Sequence, residues 1–407
     1  MLNSTQLKMK IDSLAVFSDL KSDPVLKLFR TLLDTFSVSD YSDFVAELYK
    51  HTDDLSKYIT DITLRDDNFY VKAIAAGDTP DAVITDAVKS ELTTLEEVSS
   101  VTSNDVQSLV RANLSGAEGL DADDLCLPVW NTSPVQLQAE FTKKLGSIAQ
   151  TGYGIFARYT FFRIIGSEIV PVAHPDYQRL DQLFGYERER NLIIRNTEAL
   201  LDDTGASNML LYGDMGTGKS STIKAVAAEY ADRGLRIIEV KKNQLFQIPD
   251  IMDELASNPL KFILFIDDLS FAGNDDNFSA LKATLEGSIS GRSSNTVIYA
   301  TSNRRHLVRE KASDRMAGAG FDDDLHLNDT LQETMSLAAR FGLTITFQKP
   351  DKDEYLSIVR SLAEEYGVAD MYPEEELFRR AEAHAIRRNG RSPRTARQFI
   401  ELLKAGL

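Results

Sequence analysis

The chain has 407 residues, 43% of them hydrophobic, a single cysteine and a formal net charge of −17. That length supports two or three domains, and the excess of acid argues against a protein whose whole surface coats nucleic acid. Cys126 alone excludes an internal disulfide and fits a reducing cytoplasm, and no run of about 18 apolar residues is there to span a membrane.

The first twenty residues mix Lys8, Lys10, Asp12 and Asp19 among apolar ones, which reads as neither a signal nor a transit peptide. Residues 1–145 read as mostly helical: apolar residues recur at three- and four-residue steps over Leu7–Phe36, Tyr41–Leu64 and Ala82–Leu114. A breaker-rich stretch runs from Ser115 to Pro134, and no catalytic constellation stands out in this half. Residues 155–165 are aromatic and bounded by Gly154 and Gly166. They suit a buried strand or helix that packs the N-terminal region on the C-terminal one, with base stacking as the less favoured alternative.

Pro171, His174 and Pro175 mark a linker, and a helix is expected over Tyr186–Leu201. Strand signals then alternate with segments long enough for helical crossovers: Met209–Tyr212, Leu235–Val240, Phe262–Ile266, Thr296–Thr301 and Leu343–Phe347. Near-continuous apolar runs of this kind suit parallel strands covered on both faces, so an α/β domain is expected. After Pro350 three helices are expected, Lys352–Tyr366, Glu374–Arg388 and Pro393–Lys404. This gives a mostly helical N-terminal domain over 1–170, an α/β core over 171–350 and a helical lid over 351–407.

Gly213-Asp214-Met215-Gly216-Thr217-Gly218-Lys219-Ser220 comes directly after the first of these strands and opens a helical pattern that begins at Ser221. It matches G-x-x-x-x-G-K-[ST], a loop that cradles nucleotide phosphates. Gly213, Gly216 and Gly218 permit positive φ and close approach to phosphate. Successive N–H groups then converge at the positive end of a helix. Lys219 is the expected cation for the β- and γ-phosphates, and the Ser220 hydroxyl is placed to bind Mg²⁺. The strand Phe262–Ile266 runs into Asp267 and Asp268, at the sheet edge where open α/β sheets bind ligands. Asp267 is expected to hold Mg²⁺, and Asp268 to orient or deprotonate an attacking water. Thr296–Thr301 ends in Ser302 and Asn303, whose amide can hold a water or the γ-phosphate.

The order of these features resembles the AAA+ ATPase superfamily over about residues 175–405. Asp267-Asp268 matches its Walker B motif, with Asp where most members have Glu, and Asn303 matches sensor 1. Leu183-Phe184-Gly185-Tyr186-Glu187 resembles the segment that walls the adenine pocket, which implies a nucleotide contact at Gly185. Ser336–Gly342 resembles the arginine-finger segment, with Arg340 reaching the γ-phosphate of a neighbouring subunit. Arg309 and Arg315 are rival fingers. Ser392–Arg397 resembles the sensor 2 segment of the lid, with Arg394 at the key position. More narrowly, residues 216–221, 234–240, 265–271 and 299–307 are similar to an uncharacterised bacterial AAA+ family known mainly as a domain of unknown function.

The resemblance implies a P-loop nucleoside triphosphatase sheet that hydrolyses Mg-ATP to ADP in a homo-oligomer and remodels an unidentified protein client. Two other readings stand beside it: an ATP-gated binding switch or loader adaptor with little turnover, and a DNA-dependent ATPase. The one basic cluster, Arg379, Arg380, Arg387, Arg388, Arg391, Arg394 and Arg397, bears on the last. It reads as a DNA face or, more simply, as nucleotide sensing, ion pairing or a solvated surface. Arg304-Arg305-His306 reads first as a subunit- or phosphate-facing element.

Overall fold

The computed structural model describes residues 3–115, 125–269, 276–286, 294–303, 339–388 and 390–407. The chain forms two compact units, Met1–Arg158 and Tyr159–Leu407.

The first unit is helical. Its helices are α1 (Ser4–Asp12), α2 (Pro24–Thr35), α3 (Val38–Tyr49), α4 (Leu55–Leu64), α5 (Phe69–Ala75), α6 (Ala82–Ser99), α7 (Ser103–Ser115), α8 (Leu137–Gly146), α9 (Ile148–Thr151) and α10 (Gly154–Arg158). Short polar residues start several of them, as orphan N–H groups require. Asp23 caps α2 ahead of Pro24, Ser37 caps α3, Asp54 caps α4 and Asn68 caps α5. Their apolar stripes meet in one core around Phe17, Phe29, Tyr41, Phe44 and Trp130. The Trp130 indole lies edge-on to Phe44 and donates to the carbonyl of Val101 at 2.9 Å, so a large ring is buried without an orphaned donor.

The second unit is built on a seven-stranded sheet of order β2-β1-β4-β5-β6-β3-β7. The strands are β1 (Phe161–Ile165), β2 (Glu168–Pro171), β3 (Met209–Gly213), β4 (Leu235–Glu239), β5 (Lys261–Ile266), β6 (Thr296–Ser302) and β7 (Leu343–Phe347). All neighbouring pairs are parallel except the β1–β2 hairpin. The five expected strands are present to within a residue at their ends. The aromatic segment divides differently from the expectation. Residues 154–158 end the first unit as α10, and Phe161–Ile165 joins the sheet by pairing with β4. Along the chain the two units divide between Arg158 and Tyr159. Pro171 closes the edge strand β2, where a missing N–H is tolerated, so the pairing begins within the segment read as linker.

The remaining helices are α11 (Glu187–Leu201), α12 (Lys219–Glu229), α13 (Ile248–Leu255), α14 (Asp276–Glu286), α15 (Lys352–Glu365), α16 (Glu374–Arg387) and α17 (Pro393–Lys404). Ile193 and Leu200 of α11, with Ile223 and Val226 of α12, pack on Met209, Leu211, Ile237, Ile263 and Phe265. Phe262, Leu264 and Ile266 alternate with these along β5 and are buried as well, which is why β5 reads as an unbroken apolar run. Helices α15, α16 and α17 share a separate small core of Tyr355, Ile358, Leu377, Ala396 and Phe399, and Phe184 packs against it.

Candidate functional site

Sheet register assembles the site. Ile266 pairs with Ala300 and Leu211 with Thr301, so Asp267, Thr301 and the start of the glycine-rich loop emerge together at the carboxyl ends of β5, β6 and β3. Gly213 has φ +140, and a Cβ there would lie 1.9 Å from the carbonyl oxygen of Phe347. Only glycine lets the loop leave β3 against β7. The N–H of Asp214 then donates to that same carbonyl at 3.0 Å, and its carboxylate accepts from the N–H of Lys349 at 3.1 Å.

Beyond this anchor the loop turns into α12. The backbone N–H groups of Met215, Gly216, Thr217, Gly218, Lys219 and Ser220 make no hydrogen bond among the described residues. Six consecutive donors left open at a helix start form a concave, electropositive surface suited to an anion. Gly218, with φ +93, caps α12, and a Cβ there would meet nothing within 4 Å.

Lys219 is buried at 5% exposure, and its ammonium donates to the carbonyls of Gly213 at 3.1 Å and Asp214 at 2.7 Å. Burial holds its pKa below the ordinary lysine range, opposed by Asp214, Asp267 and Asp268 and reinforced by Arg394. A buried cation resting on neutral carbonyls is a group suited to receive an anionic ligand.

Opposite the loop, Oδ1 of Asp267 collects three donors: Ser220 Oγ at 2.6 Å, Thr301 Oγ1 at 2.6 Å and the N–H of Asp268 at 3.1 Å. Oδ2 accepts nothing among the described residues. Asp268 takes a left-handed backbone, φ +51, and its Oδ1 accepts from Asn303 Nδ2 at 2.8 Å. The hydroxyl of Ser220 and the open carboxylate oxygen of Asp267 are hard oxygen donors, the type Mg²⁺ takes in combination with substrate phosphates.

A cavity of about 310 Å³ joins these groups to the lid. Met215 through Ser221, with Asp267, Asp268 and Asn303, line one side, and Arg394 and Gly185 line it with Ile358 and Leu362. The volume is at the small end of ligand pockets. Gly185, φ +76, leaves room for Ile358, whose Cδ1 would stand 2.9 Å from an added Cβ. Thus the 183–187 segment seats closely on α15. The N–H of Arg394 donates to the carbonyl of Gly216 at 3.2 Å, which ties the start of α17 to the loop apex.

Of the residues expected at the site, Gly213 and Asp214 shape the loop without lining the cavity. Arg340 does not line it either: it is half-buried, just ahead of β7, at the opposite edge of the sheet from Asp267. Ser336–Ala338, Arg304, Arg305, His306, Arg309 and Arg315 lie outside the described residues. Sequence reasoning missed Arg190 and Gln182, which line the cavity together with Arg397 of the expected lid segment. Arg190 donates to the carbonyl of Leu183, and burial lowers its pKa. Arg397 donates to the carbonyl of Gln182 at 3.1 Å. No motif marks Arg190 or Gln182: the first acts on a backbone carbonyl of another element, and the Gln182 amide donates to Glu365 Oε1 at 3.0 Å. Thr301 was also missed, although the pairing of β5 with β6 marks it.

Three members of the basic cluster have carboxylate partners: Arg379 and Arg380 pair with Glu376, and Arg391 forms a two-point bridge with Glu382. Arg387 and Arg388 are exposed.

Fold and site together define an α/β protein with a mostly parallel sheet, whose open glycine-rich loop and paired carboxylates meet at the strand tips under a helical cap. The chain belongs to the family described as "Protein of unknown function (DUF815)", whose model matches residues 157–407, a span that begins beside the start of the second unit. No curated protein matches the chain. Among the described residues no helix is long and apolar enough to cross a membrane.

Proposed function

We propose that this chain is an AAA+ ATPase that hydrolyses Mg-ATP to ADP and phosphate and uses the cycle to remodel a protein client. One observation carries the reading: six open backbone donors and the Lys219 ammonium face a cavity whose far wall is Ser220, Asp267, Asp268 and Asn303. That arrangement supports a phosphate site beside a metal and a water.

Lys219 and the loop N–H groups hold the β- and γ-phosphates. Ser220 and Asp267 would hold Mg²⁺, which would neutralise charge on the phosphate oxygens. Asp268 and Asn303 hold a water in line with the γ-phosphorus. The water oxygen forms the new P–O bond, the bond to the bridging oxygen of ADP breaks, and Asp268 accepts the proton. Arg394 neutralises developing charge from the lid. Arg340, on the opposite sheet edge from its own cavity, acts on a second copy of the chain, where one such arginine in trans is worth about 10³–10⁵ in rate. The helical N-terminal unit presents the client.

Steady-state ATP hydrolysis across a protein-concentration series tests this, with Lys219→Ala and Arg340→Ala run alone and mixed. Specific activity is expected to rise with concentration, vanish in each variant and recover partly in the mixture. Tight ATP binding without turnover at any concentration overturns it in favour of a second reading, an ATP-gated binding switch. That reading is supported by Asp268: its side chain is one methylene shorter than glutamate, and its carboxylate is already bonded to Asn303.

A further inference from the structure

Thr301 sits at the tip of β6 with 1% exposure, and its hydroxyl is used twice. It donates to Asp267 Oδ1 at 2.6 Å and accepts from the N–H of Asp268 at 3.0 Å. Its own carbonyl accepts from the N–H of Leu269 at 2.7 Å. One residue of β6 therefore grips three consecutive positions of the segment leaving β5. A hydroxyl has one proton and two lone pairs, so it can do both jobs at once.

These bonds have two consequences. All three donors to Asp267 fall on one oxygen, so the plane of the carboxylate is fixed and its other oxygen, Oδ2, is left open. The N–H of Asp268 is held by Thr301 and Asp267 together, at the residue whose backbone is left-handed. A non-glycine residue held there is strained and persists only where its surroundings over-determine it. The left-handed turn brings the Asp268 carboxylate to Asn303.

We infer that Thr301 is a positioning residue for the metal: it fixes the orientation of the Asp267 carboxylate, so that one oxygen takes the protein donors and the other faces Mg²⁺, and it fixes the peptide that aims Asp268. This rests on the reading of Asp267 as an Mg²⁺ ligand. Ser220 donates to the same oxygen, but its own oxygen is the other metal ligand. Thr301 is the side-chain donor on Asp267 that stays free of the metal. Partners that orient metal ligands in this way are worth about 10–100-fold in metal affinity or activity.

The test is binding of a fluorescent N-methylanthraniloyl ATP to full-length protein, titrated with Mg²⁺ and repeated in EDTA. In Thr301→Val the Mg²⁺ concentration for half-maximal tightening is expected to rise about 10-fold or more, with affinity in EDTA held within about twofold. Thr301→Ser, which keeps the hydroxyl, is expected to match wild type. A merely structural residue would weaken both affinities together or neither. If Thr301→Val does not fold, Thr301→Ser against Thr301→Cys decides, since the thiol is a poor donor. An unchanged Mg²⁺ requirement in the valine or cysteine variant overturns the inference while leaving the ATPase reading standing. Nucleotide binding by wild type that ignores Mg²⁺ overturns both.

Discussion

The N–H of Arg394 donates to the carbonyl of Gly216 at 3.2 Å, so the lid is joined to the glycine-rich loop through backbone. Gly216 has φ +81, and a Cβ there would stand 3.1 Å from Ser392 Oγ and 3.3 Å from Arg394 Cβ. Ser392 cannot easily yield, because its hydroxyl caps α17 by accepting from the N–H of Thr395 at 3.1 Å. Gly216→Ala is therefore expected to lower stability by about 1–3 kcal/mol in urea unfolding, from backbone strain alone. It is also expected to weaken ATP binding, because the lid must lift. Wild-type stability with wild-type affinity would show that the latch is not needed.

The glycines of the loop are not equivalent. At Gly213 an added methyl overlaps the Phe347 carbonyl, and nothing short of separating β3 from β7 relieves it. Gly213→Ala is expected to fail to accumulate as soluble protein. At Gly218 the space is open and only the positive φ opposes a side chain. Gly218→Ala should fold with a loss of about 1–3 kcal/mol from the same strain, yet bind ATP poorly where the backbone must approach phosphate. Soluble yield, circular dichroism and nucleotide titration distinguish the two. Equal behaviour of both variants would contradict this division.

In the helical unit, Asp66 is buried beside Asn68, which donates to its Oδ2 at 2.7 Å. Burial pushes its pKa up to about 6, with Asp19 and Asp67 adding to the rise and Asn68 opposing it. The native state thus holds a proton that the unfolded chain, with the usual carboxylate pKa, has already released. Stability then falls as pH climbs from about 4 to about 6, and the full penalty is present at neutral pH. Asp66→Asn keeps an acceptor for Asn68 and removes the charge. It is expected to stabilise the protein by about 1–3 kcal/mol at pH 7, with the gain vanishing below about pH 4. Parallel urea titrations at both pH values measure it, and a gain that persists in acid would contradict the assignment.

The central strand β5 was legible because it is apolar on both faces, and such a run needs no partner to be recognised, whereas β7 alternates Leu343, Ile345 and Phe347 with two threonines. The β1–β2 hairpin was harder to read. Phe161–Ile165 lies between β2 and β4, and its pairing with β4 crosses a long stretch of chain. The loop, Asp267, Asp268 and Asn303 were legible because their chemistry is local in sequence. Thr301 is local too, but its role depends on the register that sets it beside Asp267. Arg190 was not legible, since it serves the carbonyl of Leu183, and Arg397 was named with the lid segment but its bond to the Gln182 carbonyl depends on how α17 packs. Arg340 rests on resemblance alone. Its position ahead of β7 gives it no place in its own cavity.

Asp268 and Asn303 share one hydrogen bond at 2.8 Å, and the proposed mechanism gives them one water to hold. Asp268→Asn removes the proton acceptor and is expected to lower the ATP hydrolysis rate by about 10²–10⁴, the usual range for a general base. Asn303→Ala removes the group that orients that acceptor and is expected to cost about tenfold or more. The proton acceptor is the larger of the two terms, because orientation without a base achieves nothing. The double variant should therefore be about as slow as Asp268→Asn alone, since residues that act as a unit are strongly non-additive. ATP affinity should stay near wild type in all three variants, because neither side chain belongs to the loop that holds the phosphates. Additive losses in rate would mean that the two residues act on different steps, and a matching fall in affinity would mean that they hold the nucleotide and not the water.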